Sequence, residues 1–162
     1  NNDYKPSVAR WNMATGEINP MPYEYPDLKK VRFIYAASAE HQLYVQCYTQ
    51  YDLMTICDFN GNLKCNIYGP KWVNEKTQTQ HYSLGVEFCG DKILALYSGG
   101  DHRTDAYYPT KFLVFDLNGN YLKTLETGYM ITDFCYDKEN NRLIINLNDE
   151  IQFTYLDLEG II

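Results

Sequence analysis

Two polar stretches, 69–80 and 99–110, carry most of the side chains equipped to bind or react. In and beside them lie Trp72, His81, Asp101, His102, Arg103, Tyr107 and Tyr108. Exposed Trp and Tyr next to Arg and Asp suit stacking on a sugar and hydrogen bonding to its hydroxyls, or anchoring a protein partner. The competing reading is a solvated loop whose aromatics pack back on the scaffold. Asp101-His102-Arg103 sets an imidazole beside a carboxylate, but adjacent loop residues have no fixed geometry. A metal site is therefore not expected, nor any other cofactor. The cysteines, Cys47, Cys57, Cys65, Cys89 and Cys135, form no CxxC pair and no zinc-like spacing. They are expected to be buried, reduced thiols, with a single cross-strand disulfide as the alternative.

The elements that must hold these loops read as strands. No long segment shows helical periodicity, and the chain is rich in Tyr, with 16 among its 162 residues. Strands are predicted at 7–13, 31–37, 43–49, 51–59, 63–68, 81–89, 92–98, 111–116, 121–127, 131–136, 142–148 and 151–157. The segment 17–26 holds Pro20, Pro22 and Pro26, so it fits only an edge strand. Ile161-Ile162 is placed to begin one more strand.

The pattern repeats. Asp58-Phe-Asn-Gly-Asn62 is nearly copied as Asp116-Leu-Asn-Gly-Asn120, each read as a two-residue Asn-Gly hairpin turn. The turn glycines Gly16, Gly61, Gly119 and Gly160 are 45, 58 and 41 residues apart. About 40–50 residues and four strands per repeat suit a β-propeller blade. The predicted fold is all-β, a partial β-propeller of about three four-stranded antiparallel blades. Its parts are a partial blade at 7–26, blades at 31–69 and 81–127, and an incomplete blade at 130–162. The alternative is a sandwich of unrelated hairpins.

Further matches join the Asp-x-Asn-Gly-Asn turns. Phe88-Cys-Gly-Asp-Lys92 and Phe134-Cys-Tyr-Asp-Lys138 stand at the same point of successive repeats, and Tyr68-Gly69-Pro70 follows an outer strand. In these motifs the chain resembles the TolB-like six-bladed β-propeller proteins of gut Bacteroidetes, over what would be their C-terminal half. The resemblance implies an envelope or secreted setting, periplasmic or as a surface lipoprotein, and no settled activity.

An open arc of blades leaves raw flanks, expected to be covered by a second copy or by an N-terminal half of a larger propeller. The net charge of −7 argues against nucleic acid as a partner. No apolar run approaches the ~18 residues of a membrane-spanning helix. In a propeller both long loops open on one face. The expected role is a non-enzymatic module that binds a protein or glycan there. A hydrolase or lyase with a central-channel site, built around His81, Tyr82, Met130 and Asp133, is one alternative; a purely structural half-propeller is the other.

Overall fold

The computed structural model describes residues 8–21, 28 and 31–162. The predicted strand residues 22–26 lie outside the described residues. A short hairpin, β1 (Ala9–Trp11) and β2 (Ile18–Pro20), comes first. Sheet I follows as a meander of β3 (Phe33–Ser38), β4 (Leu43–Tyr48), β5 (Leu53–Asp58) and β6 (Leu63–Tyr68). Sheet II comprises β7 (Thr79–Cys89), β8 (Lys92–Asp101), β9 (Lys111–Asp116) and β10 (Tyr121–Glu126). Sheet III has three strands, β11 (Ile131–Asp137), β12 (Arg142–Leu147) and β13 (Phe153–Asp157). The fold is thus all-β: among the described residues there are four open antiparallel sheets of two to four strands, interrupted by one 3-10 turn at Asp105–Tyr107.

The run Ile93-Leu-Ala-Leu-Tyr97 shows why the sheets stack. It is apolar at every position, which a strand needs only when both its faces are covered. Ile93, Ala95 and Tyr97 pack with Val45, Cys47, Met54 and Ile56 of sheet I. Leu94 and Leu96, on the other face, pack with Phe134, Leu143 and Ile145 of sheet III. Phe112 and Phe134 meet edge to face across that second interface, ring centroids 4.9 Å apart. The first strands β3, β7 and β11 are neighbours along one side of the stack.

The repeated turn has a physical reason for nearly every letter. Asp116 Oδ1 accepts from the backbone N–H of Asn118 at 2.9 Å and of Asn120 at 2.8 Å, while Asn120 Nδ2 donates to Oδ2 at 2.8 Å. Asp58 does the same for Asn60 and Asn62. The Asn side-chain and backbone donors hold both aspartate carboxyls below the usual carboxylate range. The turn is not the two-residue reversal expected from Asn-Gly. Asp116 N–H donates to Asn120 O, so three residues lie between the paired positions, and only Gly119 takes positive φ, at 86°. This is the three-residue form closed by a left-handed glycine.

Other boundaries also move. β8 runs on through Gly99, Gly100 and Asp101, and β7 begins at Thr79, because Thr79 and Gln80 pair with Asp101 and Gly100. Both long loops are therefore shorter than predicted, at 69–78 and 102–110. Ile161 and Ile162 do not start a strand; their N–H groups turn back onto Leu158 O. Leu84 has φ 66° inside an irregular stretch of β7 between Tyr82 and Val86, a break that no Gly, Pro, Asn or Asp at 82–84 announces.

The outer strands grip the turns of the next unit. Arg10 of β1 donates to Phe59 O, Cys65 of β6 donates to Asn118 O, and Lys123 of β10 donates to Ile161 O. A side chain at Gly119 would meet Cys65 Sγ at 2.8 Å and Ile67 Cδ1 at 2.9 Å, whereas one at Gly90, φ 61°, would meet open space. Gly90→Ala is thus expected to cost only its left-handed strain, about 1 kcal/mol. Gly119→Ala adds a clash with the neighbouring sheet, for a total of about 2–3 kcal/mol. Urea unfolding of the two variants checks the difference.

Candidate functional site

The two loops are positioned from beneath by Asp52, just ahead of β5. Its carboxylate fills the space over Gly69, where any Cβ would lie 2.2 Å from it. Asp52 Oδ2 accepts from Lys71 N–H at 2.9 Å, and Asp52 O accepts from Gly69 N–H at 2.8 Å. Loop 69–78 therefore leaves sheet I along a defined path. Thr77 continues the attachment by donating through N–H and Oγ1 to Gln50 O.

Beside Asp52 sits His81, which is only 1% exposed. Its Nδ1 is 3.3 Å from the Tyr97 hydroxyl and 3.8 Å from Asp52 Oδ1. Burial holds the imidazole below its ordinary value, against the pull of the Asp52 charge. Burial first, then the Asp52 charge, pushes the Tyr97 hydroxyl up. His81, the first residue of the predicted strand 81–89, was grouped with the loop face; it is in β7 as predicted, but its side chain is buried beside Asp52 and Tyr97. The reason is the packing of β7 on sheet I, where His81 N–H donates to Thr49 O at 2.8 Å. This buried Asp–His–Tyr group joins sheet I to sheet II.

Loop 102–110 folds over the end of β8. Gly100 permits this, since a Cβ there would lie 1.9 Å from Ala106 O. Ser98 Oγ donates to the same carbonyl at 2.7 Å, and Thr104 caps the 3-10 turn. Asp101 binds Arg103 twice, Nε at 3.0 Å and Nη2 at 2.7 Å. That guanidinium, together with the Arg103 backbone N–H, holds the Asp101 carboxyl well below its ordinary range. Tyr107 and Tyr108 rings lie 4.2 Å apart, both half-buried.

The first loop is also tied to the end of β8 and to the second loop. Lys71 Nζ donates to Gly99 O of β8 at 3.3 Å. His102 donates to Gln78 O from its backbone at 3.2 Å and from Nδ1 at 2.9 Å. A carbonyl only accepts, so the His102 proton sits on Nδ1 and Nε2 is left as the other polar atom of the ring. Asp101, His102, Arg103, Tyr107 and Tyr108 thus all lie on the end of β8 or on loop 102–110, which His102 ties to loop 69–78. Trp72 does not join it as an exposed aromatic. Its ring packs 4.8 Å from Tyr68 and 6.2 Å from Tyr51, over Leu28, Tyr48 and Leu53. The sequence reading missed Asp52, Gln78 and Tyr97, because each acts through partners 16 or more residues away in the chain.

None of the five cysteines is in a disulfide. Cys47, Cys57 and Cys89 are buried as expected, Cys65 is half-buried and Cys135 is exposed. Among the described residues no group of three or more His, Cys, Asp or Glu is placed to hold a metal ion, and no helix is long and apolar enough to cross a membrane.

No family model and no curated protein matches the chain. Among solved structures it is similar to Kuenenia stuttgartiensis hydrazine synthase, with a TM-score of 0.62 at 13% identity over 95% of this chain. The chain spans 40% of that protein's length. At this identity the likeness concerns the fold of the stacked sheets alone.

Trp72→Ala is expected to lower stability by about 2 kcal/mol, because it strips a half-buried aromatic from Tyr68 and Tyr51. Arg103→Ala, on the exposed surface, is expected to stay within about 0.5 kcal/mol of the parent. For His81 the folded value lies below the unfolded one, so the unfolded chain binds the extra proton. Its contribution is full above the ordinary histidine value of about 6.5 and declines as the pH falls below it. Urea midpoints at neutral and mildly acid pH should converge in His81→Gln relative to the parent.

Proposed function

We propose that the stacked sheets are blades of a partial β-propeller, and that the chain is a non-enzymatic binding module engaging a protein or glycan through its joined loop face. The observation that carries this reading is the pair of loops from different connections locked together by Gln78–His102, with Lys71–Gly99 holding the first loop to the end of β8. A ligand surface assembled from two loops on a rigid scaffold loses little entropy on binding. Arg103, with donors beyond the two it gives Asp101, and the Tyr107–Tyr108 ring pair supply polar and stacking contacts. The closed Asp52–His81–Tyr97 group supports binding over catalysis, since a reacting group must reach its substrate. The resemblance to TolB-like propellers supports a cell-envelope setting. Sheet III, with Phe153 68% exposed and Tyr155 59% exposed, supports a larger propeller of which this chain is one part.

A glycan array followed by titration of the strongest oligosaccharide tests the loop face. Arg103→Ala and the Tyr107→Ala/Tyr108→Ala double variant are each expected to weaken binding about tenfold or more, with folding intact. Binding unchanged in both variants would remove the loop face from consideration.

A further inference from the structure

On the side of the stack where the first strands meet, a groove of about 570 Å³ opens between β3, β7 and β11. It is separate from the loop surface and does not depend on the reading of that surface. The polar residues lining it are Tyr35, Thr49, Gln80, Ser83, Glu87 and Asp133, and no Lys, Arg or His is among the lining residues. Glu87 on β7 and Asp133 on β11 bring two carboxylates to the same wall. Asp133 Oδ1 accepts from Phe134 N–H at 2.9 Å, and no cation of the described residues pairs with Glu87.

Ser83 is the second, independent observation. It is 1% exposed, and its Oγ has no hydrogen-bond partner. A buried hydroxyl left unmatched costs roughly 1–3 kcal/mol, which a polar partner entering the groove at Ser83 would offset. The irregular stretch of β7 brings Ser83 there, and Gly85 lets the Phe134 ring close the floor, since a Cβ at that position would lie 2.7 Å from it.

From this wall we infer that the groove is a binding site for a small organic cation, a primary ammonium held between Glu87 and Asp133, with Ser83 Oγ as a further acceptor. Three features select this class. Two carboxylates on one wall offer charge-assisted acceptors to an ammonium group. The volume suits a small molecule and far exceeds one ion. Tyr35, 71% exposed at the rim, offers a ring face to the rest of the ligand or to its charge. Burial and the nearby Asp133 charge raise the Glu87 carboxyl, an unfavourable pairing of like charges that an inserted cation relieves.

The experiment is an NMR titration of the ¹⁵N-labelled chain at neutral pH with benzylamine, protonated under these conditions, and with its neutral counterpart benzyl alcohol. Benzylamine is expected to shift the amides of 83–87 and 133–134, and benzyl alcohol to bind about tenfold more weakly or not at all. Glu87→Gln and Asp133→Asn are each expected to weaken benzylamine about tenfold, and Ser83→Ala about threefold. Asp133 is exposed, so its variant keeps the test decisive if Glu87→Gln disturbs folding. Equal binding of the two probes, shifts confined to other amides, absence of binding, or full affinity in Asp133→Asn would each overturn the site.

Discussion

A β-sheet presents two faces, and sheet II of this protein has apolar side chains on both. Ile93 and Ala95 need a neighbour on one side, while Leu94 and Leu96 need one on the other. Neither requirement is met within a single four-stranded meander, so sheets I and III must flank it. The stacking order then follows the chain order, with each sheet laid against the one before. The paired Phe positions express the same rule: Phe88 packs toward sheet I and Phe134 toward sheet II, each meeting the preceding member of the stack.

Once the sheets are stacked, the ends of the strands from neighbouring sheets come close, and polar groups govern what happens there. Asp52 is almost wholly buried, yet it is answered by backbone N–H from Lys71 and lies near His81. That arrangement keeps a carboxylate tolerable in a closed position and fixes where loop 69–78 sets out. The second loop is then held by the first. The geometry of the exposed surface thus traces back to one acid under a glycine, not to any preference of the loop residues themselves.

The parts of this structure legible in the sequence were those with local causes. β6 and β9 fall on their predicted residues, since alternation and an adjacent Asp-x-Asn-Gly-Asn turn mark both. The Asp and Asn of that motif announce a turn, but its three-residue form depends on Asp116 accepting two backbone N–H groups at once, which no pair rule contains. The N-terminal extension of β7 and the C-terminal extension of β8 were missed because they support one another across the sheet. In the loops, the grouping of Asp101, His102 and Arg103 with the tyrosines could be read from their nearness in sequence. The burial of His81 and the packing of Trp72 could not, since both follow from contacts with sheet I that form only after the chain has folded back.

The Asn-Gly pairs at 60–61 and 118–119 have a chemical side as well. Such pairs age when the glycine nitrogen attacks the asparagine side chain, closes a succinimide ring and releases ammonia. Here Gly61 N–H donates to Asp58 O at 3.0 Å and Gly119 N–H to Asp116 O at 3.1 Å. The attacking nitrogen is engaged for as long as the turn stays shut. Spontaneous conversion of these asparagines to aspartate or isoaspartate would thus act as a clock that runs only while a hairpin is open, and the damage would record how often each one breathes.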